Sequence, residues 1–170
     1  MNKNYCLMII ISLLSFYGCS SLNPSFGITS FGQKDTKVSQ TIDGEVVIDT
    51  MVVIPIGMSL SSDDDMGLKI GRIKKGNIVK YYFSAEVYTS NWIYAKNIAI
   101  KIDDSIYYLH DDNPIRKVIS GQYVVEILTI NITPEILNKL KSSKTFSAEL
   151  YKRVVTLEDK NLVVLKNFIQ

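Results

Sequence analysis

Cysteine and histidine are both scarce in this 170-residue chain, and each scarcity removes a class of protein. The two cysteines, Cys6 and Cys19, both precede residue 20, so no disulfide can staple the sequence that follows. With a single histidine, His110, a zinc site would need carboxylates for its other ligands, an uncommon set. No Gly-x-Ser-x-Gly turn is present to expose a nucleophilic serine. An excess of one charge is also missing. The 19 basic side chains face 17 acidic ones, and a nucleic-acid binder would need a clear basic surplus.

What is present begins at the N-terminus. Lys3 supplies a positive start, Leu7 to Tyr17 an apolar core of signal-peptide length, and Gly18 the small residue that a signal peptidase requires before its cut. The run is shorter than the roughly 20 residues a spanning helix needs. With Phe16-Tyr17-Gly18-Cys19 standing where a lipobox stands, the first twenty residues resemble the signal of a bacterial lipoprotein. The resemblance implies cleavage after Gly18 and lipidation of Cys19 by a thioether-linked diacylglycerol and an acylated amine, typically palmitate. Several acyl chains hold a protein on a bilayer where one would let go. With Ser20 after the cysteine, it also implies the outer membrane facing the periplasm, in a diderm host. An ordinary signal peptide cut elsewhere is the alternative.

Residues 1–18 are therefore expected to be a signal peptide, 19–40 a lipidated flexible tether and 41–170 a single β-rich globular domain. The tether reading rests on Asn23-Pro24-Ser25, Gly27, Gly32-Gln33 and Lys34-Asp35, which break every periodic pattern. Some twenty flexible residues would reach about 25 Å. Phe26, Ile28 and Phe31 offer the alternative of an extra edge segment packed on the domain. Residues 19–170 number 152, enough to bury a core without staples.

Beyond residue 44, Val, Ile, Tyr and Thr in short stretches between Gly, Asn and Asp predict strands at 45–54, 68–74, 78–88, 92–102, 106–110, 116–119, 122–132 and 145–155. Turns at Lys75-Gly76-Asn77, Asp103-Asp104-Ser105 and Ser120-Gly121 make successive hairpins, hence an antiparallel sheet. Val79, Tyr81, Phe83, Ala85 and Val87 share one face of their strand. Phe146, Ala148, Leu150 and Val154 do the same in theirs. Two strands break phase. The passage from Val125 and Ile127 to Leu128 and Ile130 calls for a bulge near Ile127, and Lys96 calls for a bulge or for a strand beginning at Asn97. Thr133-Pro134-Glu135 starts one short helix, and Thr156-Leu-Glu-Asp159 a second carrying Leu162, Leu165, Phe168 and Ile169. The expected fold is α+β and β-rich: a curved antiparallel sheet or small sandwich with two short helices in the C-terminal half.

Each candidate chemical group has a plainer reading beside it. His110, next to Asp111 and Asp112, reads as a solvated loop histidine. Asp63-Asp64-Asp65 lacks EF-hand spacing, since Lys74 stands near the position where the closing glutamate belongs, and it reads as a polar turn. Asp103-Asp104 and Asp111-Asp112 invite a two-carboxylate glycosidase, yet aspartates populate turns on their own account. Trp92 reads as a core or rim aromatic opening a strand. Tyr82, Tyr88 and Tyr151, emerging among Lys80, Glu86, Glu149 and Arg153, form the candidate partner-binding surface.

No catalytic residue, metal ligand or cofactor is assigned. The preferred expectation is a lipid-anchored cell-envelope protein with a non-catalytic binding or structural role, whose partners are the membrane and another envelope protein. The rival is an envelope hydrolase acting on cell-wall material through acidic residues such as Asp104 and Asp111.

Overall fold

The computed structural model describes residues 30–42, 44–56, 64–120, 123–151 and 153–170. Gly18, Cys19 and Asp63 lie outside these. Among the described residues ten strands and two helices follow in the order β1 (Lys34–Thr41), β2 (Gly44–Ile54), β3 (Asp64–Lys75), β4 (Ile78–Thr89), β5 (Asn97–Ile102), β6 (Ser105–His110), β7 (Ile115–Ser120), β8 (Tyr123–Ile132), α1 (Pro134–Ser142), β9 (Phe146–Leu150), β10 (Arg153–Thr156) and α2 (Asp159–Phe168).

All pairings are antiparallel. One sheet has six strands in the order β1-β2-β3-β4-β8-β7 and curls into a half-barrel; the second has four, β10-β9-β5-β6. The long hairpin of β3 and β4 turns at Gly76-Asn77, where Gly76 takes φ +56°, a left-handed conformation that costs glycine little. Strand alternation then sorts the residues. Phe83, Ala85 and Val87 of β4 point inward with Met51, Leu68, Ile70, Leu128 and Ile130 from its sheet. Ile98, Ile100, Phe146, Ala148 and Leu150 come from the other. The Phe83 and Phe146 rings meet across the two layers with centroids 6.1 Å apart.

The helices close the core. Thr133 caps α1 by accepting a hydrogen bond from the Ile136 N–H at 3.3 Å, Pro134 stands at the first helical position, and Ile136 and Leu140 are buried. In α2 the apolar spacing buries Leu162, Leu165 and Phe168, and Ile169 follows into the core. The Lys166 ammonium donates to the Ser143 carbonyl and ties α2 to the end of α1.

Three expectations are corrected. The tether does not extend to residue 40: Lys34–Thr41 pair with β2, and the Gly32 N–H and Gln33 carbonyl already bond Val52. The alternation of Lys37, Val38, Ser39 and Gln40 is that of an edge strand, and Phe31 packs on the core, as the edge-segment alternative expected. The run 145–155 is a hairpin, not one strand. Tyr151 turns the chain with φ +56°, which places Val154 on an exposed edge rather than inward. Finally, no bulge lies near Ile127. β8 pairs with β4 in unbroken register, and Val124, Glu126, Leu128 and Ile130 form one inward row. A buried glutamate in that row disguised the phase. The other disputed strand does begin at Asn97.

Candidate functional site

On the concave face of the half-barrel, successive rows of residues change character toward the open end. Met51, Ile70 and Phe83 lie side by side within the core. The next row outward is Thr36, Asp49, Arg72 and Tyr81, each directly opposite its neighbour on β1 to β4. Here the inner face turns polar, and the C-terminal end of α2 lies against it. The result is a cleft of about 190 Å³ lined by Lys34, Thr36, Asp49, Arg72, Asn167 and Phe168, among others.

Its central pair is well built. Arg72 donates from Nη2 at 2.7 Å and from Nε at 3.1 Å to one oxygen of Asp49, while the other oxygen accepts from the Thr36 hydroxyl at 2.9 Å. Arg72 holds the Asp49 carboxyl below its ordinary value despite partial burial, and Asp49 in turn raises the guanidinium's. The Phe168 ring lies 5.8 Å from the Arg72 guanidinium carbon and 5.9 Å from the Lys34 ammonium. Tyr81 donates to the Ile169 carbonyl at 3.5 Å and braces the helix end. A carboxylate held charged is a poor proton donor. The arrangement is suited to presenting two cations and a ring edge to a polar ligand, rather than to moving protons.

A second polar cluster closes the other end of the same face. Glu126 is fully buried. Its Oε1 accepts from the backbone N–H of Ile93 at 2.7 Å and Tyr94 at 2.9 Å, and its Oε2 from the N–H of Ala95 at 2.9 Å and Arg116 Nε at 3.1 Å. Arg116 also lies over the Tyr94 ring, 5.3 Å from its centroid. One carboxylate thus folds the 92–96 crossover between the two sheets, with Trp92 half-buried at its start. This role is positional: every acceptor site that the geometry offers is filled by the protein itself.

The sequence-predicted residues are distributed over the molecule. Tyr82 and Tyr88 do share the outer face of β4, but neither stands free of the sheet. The Tyr82 ring covers Gly71, the residue opposite it on β3, so closely that a Cβ there would strike the ring. Burial raises the pKa of Tyr82 above the usual phenol value. Tyr88 is raised by burial and by Glu86, to which its hydroxyl donates at 3.1 Å; Glu86 also binds Lys69. Tyr151 belongs to the β9–β10 turn of the other sheet, so the three do not form one strand face.

The acidic pairs are likewise separated. Asp104 and Asp111 flank opposite ends of β6, roughly 20 Å apart at the usual rise per residue, beyond the spacing of any acid and base acting on one glycosidic bond. Asp111 accepts from the Thr129 and Asn113 N–H groups. Asp103 accepts from the Lys144 and Thr145 N–H groups, and these amides, Thr145's first, hold its carboxyl below the ordinary value. His110 ends β6, its Nδ1 2.6 Å from the Asn97 amide oxygen and its Nε2 3.2 Å from Asp112. Among the described residues no three His, Cys, Asp or Glu side chains are grouped to hold a metal ion.

Thr36, Asp49, Arg72 and Glu126 were missed by sequence reasoning. One signal could have found three of them, each a polar residue occupying an apolar phase: Asp49 with Met51, Arg72 with Ile70, Glu126 with Leu128; Thr36, on an exposed polar strand, gave none. Set against protein-family models, curated proteins and solved structures, the chain matches none of them.

Proposed function

We propose that this protein is a lipid-anchored component of the cell envelope with a non-catalytic binding role, attached through Cys19 and engaging its partner at the concave cleft. The observation that carries the anchor is the N-terminal sequence, an apolar run of signal-peptide length ending at Gly18-Cys19. Support for the binding site comes from the fixed Asp49–Arg72 pair and the two cations beside Phe168. Such a cleft favours a partner carrying carboxylate or phosphate groups. On the anchor reading the partner is another envelope protein.

Two measurements test the halves separately. Mass spectrometry of the mature N-terminus should find diacylglyceryl and acyl groups on Cys19, and Cys19→Ala should leave the membrane fraction. An unmodified Cys19 would sink the anchor. For the cleft, cross-linked envelope complexes of the wild-type chain should disappear with Lys34→Glu while the thermal midpoint is unchanged. Identical complexes in both chains would remove the cleft from the binding role.

A further inference from the structure

One end of the six-stranded sheet combines exposed branched apolar side chains with lysines. The turn joining β1 to β2 carries Ile42, which is fully exposed, and Ile78, 61 % exposed, opens β4 directly after the β3–β4 turn. Val46 pairs with Lys75, which sets the two turns side by side at the same end, about 10 Å between hairpin centres. Val38, 59 % exposed, and Val79, 46 % exposed, continue the apolar character along the inner face behind them. Lys37, Lys74 and Lys80 are exposed around these residues, and Lys75 is half-buried. Among the described residues of the two hairpin ends, the exposed Lys37, Lys74 and Lys80 stand beside Glu45, whose carboxylate accepts from the Gln40 amide at 3.3 Å.

Water gains nothing from this arrangement. Four exposed aliphatic side chains at one end of the sheet cost solvation, and none of them belongs to the core. We infer that the paired hairpin ends are a membrane-docking surface, in which Ile42 and Ile78 enter the boundary between head groups and acyl chains and the lysines meet anionic lipid. The shape argues for a bilayer over a protein. Ile42 and Ile78, the two most exposed, sit at hairpin ends rather than in a groove, with Val38 and Val79 on the inner face behind them, and among the described residues no aromatic anchor accompanies them. The lysine stems can lie along the acyl boundary while their ammonium groups stay among the phosphates. This contact is separate from the acyl anchor proposed above, and it uses the end of β1 opposite to the one from which Cys19 would be tethered.

The test uses the full chain with Cys6→Ser and Cys19→Ala, so that acylation is absent and one new thiol can carry an environment-sensitive dye. With Ile42→Cys or Ile78→Cys labelled, dye emission should shift to the blue on vesicles containing about 30% phosphatidylglycerol and far less on neutral phosphatidylcholine. About 0.5 M salt should reverse the shift. Adding Lys74→Glu and Lys80→Glu should raise the half-saturating lipid concentration by about tenfold or more. A label at Val118→Cys, exposed on β7 at the far end, should not respond. No shift at residues 42 and 78, or an equal shift at 118, overturns the inference; the latter would mean adsorption through another surface. Cys19 lipidation is read by mass spectrometry on the unlabelled chain, so the two ideas fail independently.

Discussion

Replacing Glu126 with glutamine changes one atom and should cost far more than its size suggests. In the wild-type chain, Oε1 faces the N–H groups of Ile93 and Tyr94, and Oε2 faces the Ala95 N–H and Arg116 Nε. A glutamine amide has one oxygen and one NH₂. Whichever way it is turned, the NH₂ meets two donors head-on, and two hydrogen bonds to a charged acceptor are lost together. Charge-assisted bonds contribute about 1.5–3 kcal/mol each, and the donors left behind can recover part of that from water because Tyr94 is exposed. We expect Glu126→Gln to destabilise by about 2–4 kcal/mol, and Glu126→Ala by about 3–5 kcal/mol, the usual range when one partner of a buried pair is removed.

Urea unfolding measures the loss, and Trp92 supplies the local probe. It is the lone tryptophan and opens the segment that Glu126 holds. Its emission should move to the red in Glu126→Gln under native conditions, before global unfolding, because 92–96 would be released first. A Glu126→Gln protein within about 0.5 kcal/mol of wild type, with unchanged Trp92 emission, would refute the reasoning and assign the crossover's order to packing alone.

Asp49 should contribute to acid sensitivity. Its folded value lies below the ordinary 3.8, so the stability it supplies is complete above the unfolded value and is lost as pH falls through the folded one. Asp49→Asn should therefore flatten the decline in thermal midpoint below about pH 5, and an unchanged slope would deny the ion pair that role. Gly71→Ala should destabilise by about 1–3 kcal/mol, because the new Cβ displaces the Tyr82 ring. The same substitution in a Tyr82→Ala background should cost much less, and strictly additive effects would show that the ring is not what it strikes.

Most of the strand architecture was legible because half-buried strands advertise themselves by alternation. Phe83, Ala85 and Val87 were readable as inward, and so was the cap at Thr133. The failures share a physical cause, since an inward position was assumed to be apolar. Glu126 breaks that assumption with four donors to satisfy it, and the sequence row around it therefore looked like a slip of register. Asp49 and Arg72 break it by neutralising each other across two strands, 23 residues apart in the chain. A pairing of that kind depends on register between strands, which no single strand reveals. The outward tyrosines illustrate the converse. Their face was readable, whereas the covering of Gly71 by Tyr82 depends on which residue of β3 lies opposite.

The order in which the strands pair constrains how the chain can acquire its fold. β1 to β4 form a meander of strands adjacent in the chain, with short turns between β1 and β2 and between β3 and β4, and each pairing becomes available soon after its second strand exists. The second sheet is different. β5 needs β9, with Ala99 opposite Glu149, and everything from β6 through α1 lies between them. Closing so long a loop is entropically costly and slow relative to hairpin formation. During that interval the inner face of β2 to β4, with Met51, Ile70 and Phe83, has no Phe146 or Leu150 to cover it. A chain delivered N-terminus first would carry an open apolar trough until nearly its last twenty residues had arrived, so aggregation during that window, more than equilibrium stability, should set its yield.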